Sequence, residues 1–216
     1  IAAFPVKTPQ VDIKSVGAGG GSIAWVDVDG SLQVGPHSAA ADPGPASYGL
    51  GGREATVTDA NLLLGRISSS RPLGGTIRLD PGLAREAIAR VAARLPGLDL
   101  HRLAEGIVRI AVARMTSSIR EITIQRGHDP RDFTLVAFGG AGPMHAIPVA
   151  EELGIARILV PRYPGNFSAL GLLASDIKHD LVRTRLGRLA ELGVEVLRAT
   201  FNEMQADAAA RLAEEG

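Results

Sequence analysis

The chain has 216 residues, enough for one large domain or two small ones, each with a hydrophobic core of its own. Its 23 basic and 23 acidic side chains cancel, so nothing in the charge balance favours a nucleic acid or an anionic membrane as partner. Cysteine is absent, which excludes a disulfide framework and any thiolate metal site and fits the cytoplasm, and no apolar run approaches the ~20 residues that span a bilayer.

Residues 11–34 read as strand, glycine turn, strand, hairpin and strand. The first apolar stretch ends in Gly17-Ala18-Gly19-Gly20-Gly21-Ser22; the next alternates from Ile23 to Val28 and meets Asp29-Gly30, a strong hairpin signal before Leu32 and Val34. Residues 35–70 are rich in glycine and proline, and read as an ordered loop or a site rather than a linker. There Thr58-Asp59-Ala60-Asn61 introduces Leu62-Leu63-Leu64. A helix is expected from Asp80 as cap and Pro81 in the first turn, with Leu83, Ala87, Val91 and Leu95 on one side and Pro96-Gly97 as its stop. A second helix is expected over 101–125, ~37 Å long at about 1.5 Å per residue.

Residues 133–138 are continuously apolar and read as a buried strand that runs straight into Gly139-Gly140-Ala141-Gly142-Pro143. The helix beyond reaches Leu153-Gly154 and is expected to kink or restart at Pro148, which has no backbone N–H to donate. A short strand at 158–160, a helix at 167–174 and a last helix at 189–212, with Leu189, Val196, Met204 and Leu212 as apolar positions, complete the pattern. Strands and helices alternate, so the fold class is α/β. The chain opens on Ile1 rather than Met and stops at Gly216 just after a helical pattern, so a piece of a longer protein is expected.

The strongest bias in composition is 26 glycines. Glycine at that frequency marks tight turns or close backbone approach to a ligand. The 17–22 loop can turn several backbone N–H groups into one space with no side chain between them and a phosphate oxygen; read alone, it is either an anion-binding loop or a glycine-rich turn with no ligand. No Lys-Ser or Lys-Thr follows it, so it is not a Walker A loop, and a strand rather than a helix comes next, so it is not the dinucleotide fingerprint. The 139–143 turn feeds a strand into a helix whose N-terminus can face a polar ligand, although taken alone it reads first as strand-to-helix punctuation.

Together, four stretches resemble the hydantoinase A and 5-oxoprolinase family, which includes N-methylhydantoinase and subunits of acetone and acetophenone carboxylases. They are the run from Val11 to Ala24 around the first loop, Ala41-Asp42-Pro43-Gly44-Pro45, Thr56-Val57-Thr58-Asp59-Ala60-Asn61, and Phe138-Gly139-Gly140-Ala141-Gly142-Pro143-Met144-His145-Ala146. Four motifs in order across about residues 1–185 are far more specific than any one alone. The resemblance implies one lobe of an ATPase fold similar to actin, sugar kinases and Hsp70, with a mixed sheet, flanking helices and a family-specific insertion at about 35–130. On that basis residues 1–186 are the lobe, and 187–216 are a helix leading into further chain.

The same resemblance implies ATP with Mg²⁺, and an ATP-dependent hydrolase that opens a cyclic amide such as hydantoin or 5-oxoproline. A ketone carboxylase subunit and a non-catalytic nucleotide-binding module are the alternatives. Implied partners are the small cyclic amide, the rest of the same subunit and a second subunit or domain of the hydantoinase B type. Gly17, Gly19, Gly20, Gly21 and Ser22 would cradle phosphates, while Gly139, Gly140, Gly142 and Pro143 would lie along the adenosine. Both loops are expected to open on the same side of one mixed sheet, ~10–15 Å apart, about the length of a nucleotide.

The chain departs from the family twice. The family's N-terminal Gly-x-Asp-x-Gly-Gly-Thr hairpin has no counterpart here, so this piece alone is expected not to turn over. Ser47 stands where many relatives carry cysteine, which removes any thiol role and leaves a packing or hydroxyl role. Among single polar residues, Asp12 is a candidate catalytic group one step before the first loop, able to reach Mg²⁺ through water, or else a strand-edge aspartate. His37, Asp42 and Asp59 lack the spacing of a metal site, and no metal ligands are assigned. His145 is expected to be a solvated helix-start residue or a nucleotide contact. The arginines of 101–125 interleave with Glu105 and Glu121 as a solvated, ion-paired face.

Overall fold

A computed structural model describes residues 13–176, 178–184, 186–187 and 193–215. The chain is a mixed α/β protein whose described residues fall into two compact units, Ile13–Ser168 and the residues from Ala169 onward. No helix among the described residues is long and apolar enough to cross a membrane.

In the first unit the expected hairpin forms from β1 (Ser22–Val26) and β2 (Leu32–Ser38), paired antiparallel with Val26 opposite Leu32 and an irregularity between Ser22 and Ala24. Asp27 closes its turn: the carboxylate accepts from the backbone N–H of Ser31, from the Gln33 side-chain amide and from the backbone N–H of Asp29, which hold its pKa below the ordinary value. Ala24, Val26 and Val34 point inward from the hairpin.

Three helices cover it. The helix α1 (Val57–Leu63) starts at Thr56, and α2 (Pro81–Ala92) starts at Asp80, whose side chain accepts from the N–H groups of Gly82 and Leu83. The long helix α3 (Leu100–Ile122) is capped by Asp99, which accepts from His101 and Arg102 N–H, and a 3-10 turn at Ile124–Arg126 follows it. Leu103, Ile107, Val108, Ala111 and Val112 give α3 one buried stripe, packed with Ile88 and Val91 of α2 and Val57 and Ala60 of α1. Each large aliphatic side chain buried there contributes about 1.5–3 kcal/mol.

The strand at 133–138 differs from its expectation. Only β3 (Thr134–Val136) forms, and it pairs in parallel with β4 (Arg157–Leu159), one residue earlier than the apolar run suggests. Ala137 is buried, yet Phe133, Val136, Phe138 and Leu159 are exposed. A continuous apolar run normally marks a strand covered on both faces; here helix α4 (Gly142–Leu153) packs against β4, and these side chains stay exposed. The helix α4 passes through Pro148 without restarting and ends at Gly154, whose φ of 69° is left-handed.

The expected single mixed sheet is therefore corrected: among the described residues there are two two-stranded sheets, one antiparallel and one parallel. The reason is local. Residues 13–18, expected to complete a strand before the first loop, form no ladder, while residues 11 and 12 lie outside the described residues.

Helix α5 (Phe167–Leu173) spans the boundary between the units. In the second unit, α6 (Val194–Glu215) presents Glu203 and Asp207 one turn apart, and Arg183 bridges them at 2.5 and 3.1 Å. The expected start of this helix at Leu189 lies outside the described residues; Val196 and Leu212 are exposed.

Candidate functional site

The 17–22 loop is folded on itself. Gly19 N–H donates to Ser22 Oγ at 2.9 Å, and Ser22 N–H donates to Gly19 O at 3.0 Å. Two further anchors tie it down: Gly20 O accepts from Thr58 N–H at 2.9 Å, and Gly21 O accepts from Ala39 N–H at 2.8 Å. The loop's carbonyls are thus spent on the fold, whereas the N–H groups of Gly20 and Gly21 have no partner among the described residues. Two neighbouring free N–H donors are what an anionic oxygen requires.

None of Gly17, Gly19, Gly20 or Gly21 adopts a positive φ, so contact rather than torsion accounts for glycine here. A Cβ on Gly20 would lie 2.8 Å from Thr58 Oγ1, and one on Gly17 would lie 2.9 Å from Pro36 Cα. Gly19 differs, because a Cβ there would meet nothing within 4 Å.

The second loop comes to the first. A Cβ on Gly20 would sit 3.7 Å from Ala141 Cβ, so the 17–22 and 139–143 loops lie side by side, closer than the expected spacing of a nucleotide. Gly139 takes φ 82° and its N–H donates to Pro164 O at 2.8 Å, which fixes the turn. At the start of α4, Ala141 offers no capping side chain, Pro143 has no N–H, and the N–H groups of Gly140, Ala141 and Gly142 have no partner among the described residues. An uncapped helix start beside free loop donors gives partial positive charge on one side of the junction.

One turn into α4, His145 is 1% exposed, and neither ring nitrogen has a hydrogen-bond partner. Its expected solvated position is therefore corrected: His145 lies on the buried side of α4 with Ala146, Val149 and Ala150. Burial, with Arg66 adding positive potential, holds the imidazole pKa below its ordinary value, so the ring is neutral.

Sequence reasoning missed what holds the first loop in place. Asp59, fully buried, accepts from Ser47 N–H at 2.8 Å, Ala46 N–H at 3.3 Å, Thr56 N–H at 2.9 Å and Thr56 Oγ1 at 2.8 Å. Thr56 in turn accepts from Asp59 N–H, completing a capping box that begins α1. This carboxylate joins the 46–47 turn to the helix whose Thr58 N–H grips Gly20. The signal was present as Thr56-x-x-Asp59 ahead of an apolar run. Ser47 is buried with its hydroxyl unpartnered, which is a packing position.

Asp12 lies outside the described residues. His37 and Asp42 are exposed, and among the described residues no group of three or more His, Cys, Asp or Glu side chains could hold a metal ion. On α3, Arg120 donates to Glu152 O at 3.2 Å, and Glu121 pairs with Lys14.

Comparison with known proteins places the chain. The hydantoinase/oxoprolinase family model matches residues 1–181. The chain is 44% identical over 193 residues to caprolactamase subunit alpha of Pseudomonas jessenii, covering 89% of this chain and 28% of that protein. It is 41% identical over 196 residues to the acetophenone carboxylase gamma subunit of Aromatoleum aromaticum, covering 90% of this chain and 26% of that one. Among solved structures it resembles the ATP-dependent caprolactamase of Pseudomonas jessenii with a TM-score of 0.72 and 47% identity, over 78% of this chain and 24% of the other. The chain thus spans about a quarter of the length of these relatives, and it belongs to the hydantoinase/oxoprolinase family.

Proposed function

We propose that this member of the hydantoinase/oxoprolinase family supplies one wall of the ATP site in an enzyme that uses ATP to open a cyclic amide. The observation that carries the reading is the junction of the two glycine loops, where N–H groups of Gly20, Gly21, Gly140, Ala141 and Gly142 have no partner among the described residues. Gly17, Gly19, Gly20, Gly21 and Ser22 would face the phosphates; Gly139, Gly140, Gly142 and Pro143 would lie beside the nucleoside, as in one lobe of an actin-like ATPase. When bound, ATP supplies the phosphoryl group that turns an amide oxygen into a leaving group. This chain's share is to hold the phosphates and offset their charge through fixed backbone dipoles, which is most of what phosphoryl transfer asks of a protein. Mg²⁺ would ride on the phosphates, with Asp12 the nearest acidic candidate in sequence.

The rest of the polypeptide and a second subunit would complete the site, in keeping with the subunit names of the two relatives. Similarity to the acetophenone carboxylase gamma subunit supports ATP-dependent ketone carboxylation as the second reading.

The test is a pair of substitutions in the full-length protein, read by calorimetry with a non-hydrolysable ATP analogue. Gly19→Ala places its methyl group in open space, so the fold is unaffected, yet it fills the approach to the loop and is expected to weaken ATP binding about 10-fold or more, ~1.4 kcal/mol. Gly20→Ala presses on Thr58 Oγ1 and is expected to lose both stability and ATP affinity. A folded Gly19→Ala protein with undiminished ATP affinity refutes the phosphate role.

A further inference from the structure

Side-chain hydroxyls flank the first glycine loop, and those of Ser22 and Ser38 are engaged within the fold. Ser22 Oγ accepts from Gly19 N–H at 2.9 Å; Ser38 Oγ, which a Cβ on Gly21 would meet at 2.9 Å, accepts from Ala40 N–H at 3.1 Å. The hydroxyl of Thr58, in the first turn of α1, is not engaged. It stands 2.8 Å from where a Cβ on Gly20 would lie and has no hydrogen-bond partner among the described residues. A helical threonine commonly donates to the carbonyl four residues back, as Thr123 does to Ile119 O at 2.6 Å and Thr200 to Val196 O at 2.9 Å. For Thr58 that residue is Glu54, which precedes the helix, and no such bond forms.

Buried polar groups are almost always bonded, and an exception asks for a partner. Thr58 is only 6% exposed, yet its oxygen is not one of the enclosed atoms that lack a partner, so the side chain is packed while the hydroxyl can still be reached. It is also held in place. The Thr58 N–H is tied to Gly20 O, and the next residue, Asp59, is fixed by four donors. A stiff, branched side chain on an anchored backbone meets a ligand with little left to order.

The surroundings decide the sign of that ligand. Beside the hydroxyl lie the open N–H groups of Gly20 and Gly21, and Ala141 Cβ, at the uncapped start of α4, is 3.7 Å from the same point beside Gly20. All of these present donors and partial positive charge, which attract an anionic oxygen and repel a cation. We propose that the Thr58 hydroxyl is a further donor of this cradle, giving its hydrogen bond to a phosphate oxygen of the nucleotide and not ligating the accompanying metal. The inference rests on the ATP-dependent reading above and adds a side chain to a site otherwise built of backbone. It also gives the absent side chain at Gly20 a use, since a methyl group there would sit against the hydroxyl.

The experiment uses the full-length protein and the non-hydrolysable analogue AMP-PNP. Thr58→Val keeps the branch and the volume and removes only the hydroxyl. Because that hydroxyl bonds to nothing in the fold, the melting temperature should not fall, while the Kd for AMP-PNP should rise about 10-fold or more, as loss of a hydrogen bond to a charged group does. Thr58→Ser, which restores the hydroxyl, should recover most of the affinity, and the Mg²⁺ concentration that half-saturates AMP-PNP binding should be the same in Thr58→Val as in wild type. Undiminished affinity in a folded Thr58→Val protein overturns the proposal. A raised Mg²⁺ requirement assigns the hydroxyl to the metal and overturns it too, as does a lowered melting temperature, which assigns the hydroxyl to the fold. Should Thr58→Val fail to fold, Thr58→Ala and Thr58→Ser decide by the same measurements, and collapse of Thr58→Ala as well counts against the proposal. Affinity lost in Gly19→Ala but kept in Thr58→Val defeats this inference alone; absence of AMP-PNP binding in the wild type defeats the reading it stands on.

Discussion

Removing the Asp59 carboxylate tests whether the first glycine loop is held from behind. In Asp59→Ala, three buried backbone N–H groups, those of Ala46, Ser47 and Thr56, lose their acceptor, together with the Thr56 hydroxyl. Each buried donor left unpaired costs about 1–3 kcal/mol. The hydroxyl can turn elsewhere, and water can enter the space the side chain leaves, so the net loss expected is about 3–5 kcal/mol, the range for breaking a buried charged partner. That is a large share of the ~5–15 kcal/mol that keeps a domain folded. Asp59→Asn keeps one acceptor but turns an amide N–H₂ toward donors, so it should fall between wild type and alanine. Hydrogen exchange on the full-length protein, followed by mass spectrometry over 44–58, reads the effect where it arises. The amides of 46, 47 and 56 should lose protection first, and that of Thr58 should follow, because its N–H is held by the Gly20 carbonyl. Unchanged protection at those amides in Asp59→Ala refutes the account.

Two further outcomes concern pH. Below about 6.5 the unfolded chain binds a proton at His145 that the folded chain resists, so the stability His145 contributes above its ordinary value is lost as pH falls from about 6.5 toward the lowered folded value; His145→Gln should flatten the decline in melting temperature below about pH 6.5. Asp129, bonded to the Arg131 side chain and backbone, is held down to a pKa of about 2, and Arg131→Ala should return its carboxyl toward the ordinary carboxylate value in a proton NMR titration.

Where one local pattern decided an element, the sequence was legible. Asp80-Pro81 places the start of α2 where it is observed, while the apolar spacing that ran on to Leu95 overshoots its end at Ala92 by three residues. The Asp29-Gly30 turn likewise places the hairpin. What failed depended on partners the pattern cannot name. Residues 133–138 look buried because every side chain is apolar, but the run says nothing about whether a second layer covers both faces, and here Val136 and Phe138 stay exposed. His145 was misjudged for a related reason: its position in the first turn of a helix suggests solvent, while it falls at i−4 and i−5 from Val149 and Ala150 on the side of α4 that packs inward. Asp59 was read for metal binding and found wanting, when its role lay in four donors, two of them more than ten residues away.

The glycines of the two loops separate what the fold requires from what a ligand would require. Gly17 and Gly20 are demanded by this chain's own atoms, since Pro36 and Thr58 leave no room for a Cβ. Their presence is therefore weak evidence for a ligand. Gly19 and Gly140 are another matter: neither has a positive φ, and a Cβ on either would meet nothing within 4 Å. At such positions alanine should be slightly favourable, about 0.4–1 kcal/mol, because it narrows the unfolded ensemble at no cost to the fold. Glycine kept where the fold would gain from alanine points to something outside the described residues that needs the space. Both positions flank the junction where the two loops meet, and both leave the adjoining N–H groups open to approach. For that reason the informative substitutions are the silent ones: Gly19→Ala and Gly140→Ala can lose nucleotide affinity only if a ligand comes there, whereas Gly20→Val would damage the fold whether or not one does.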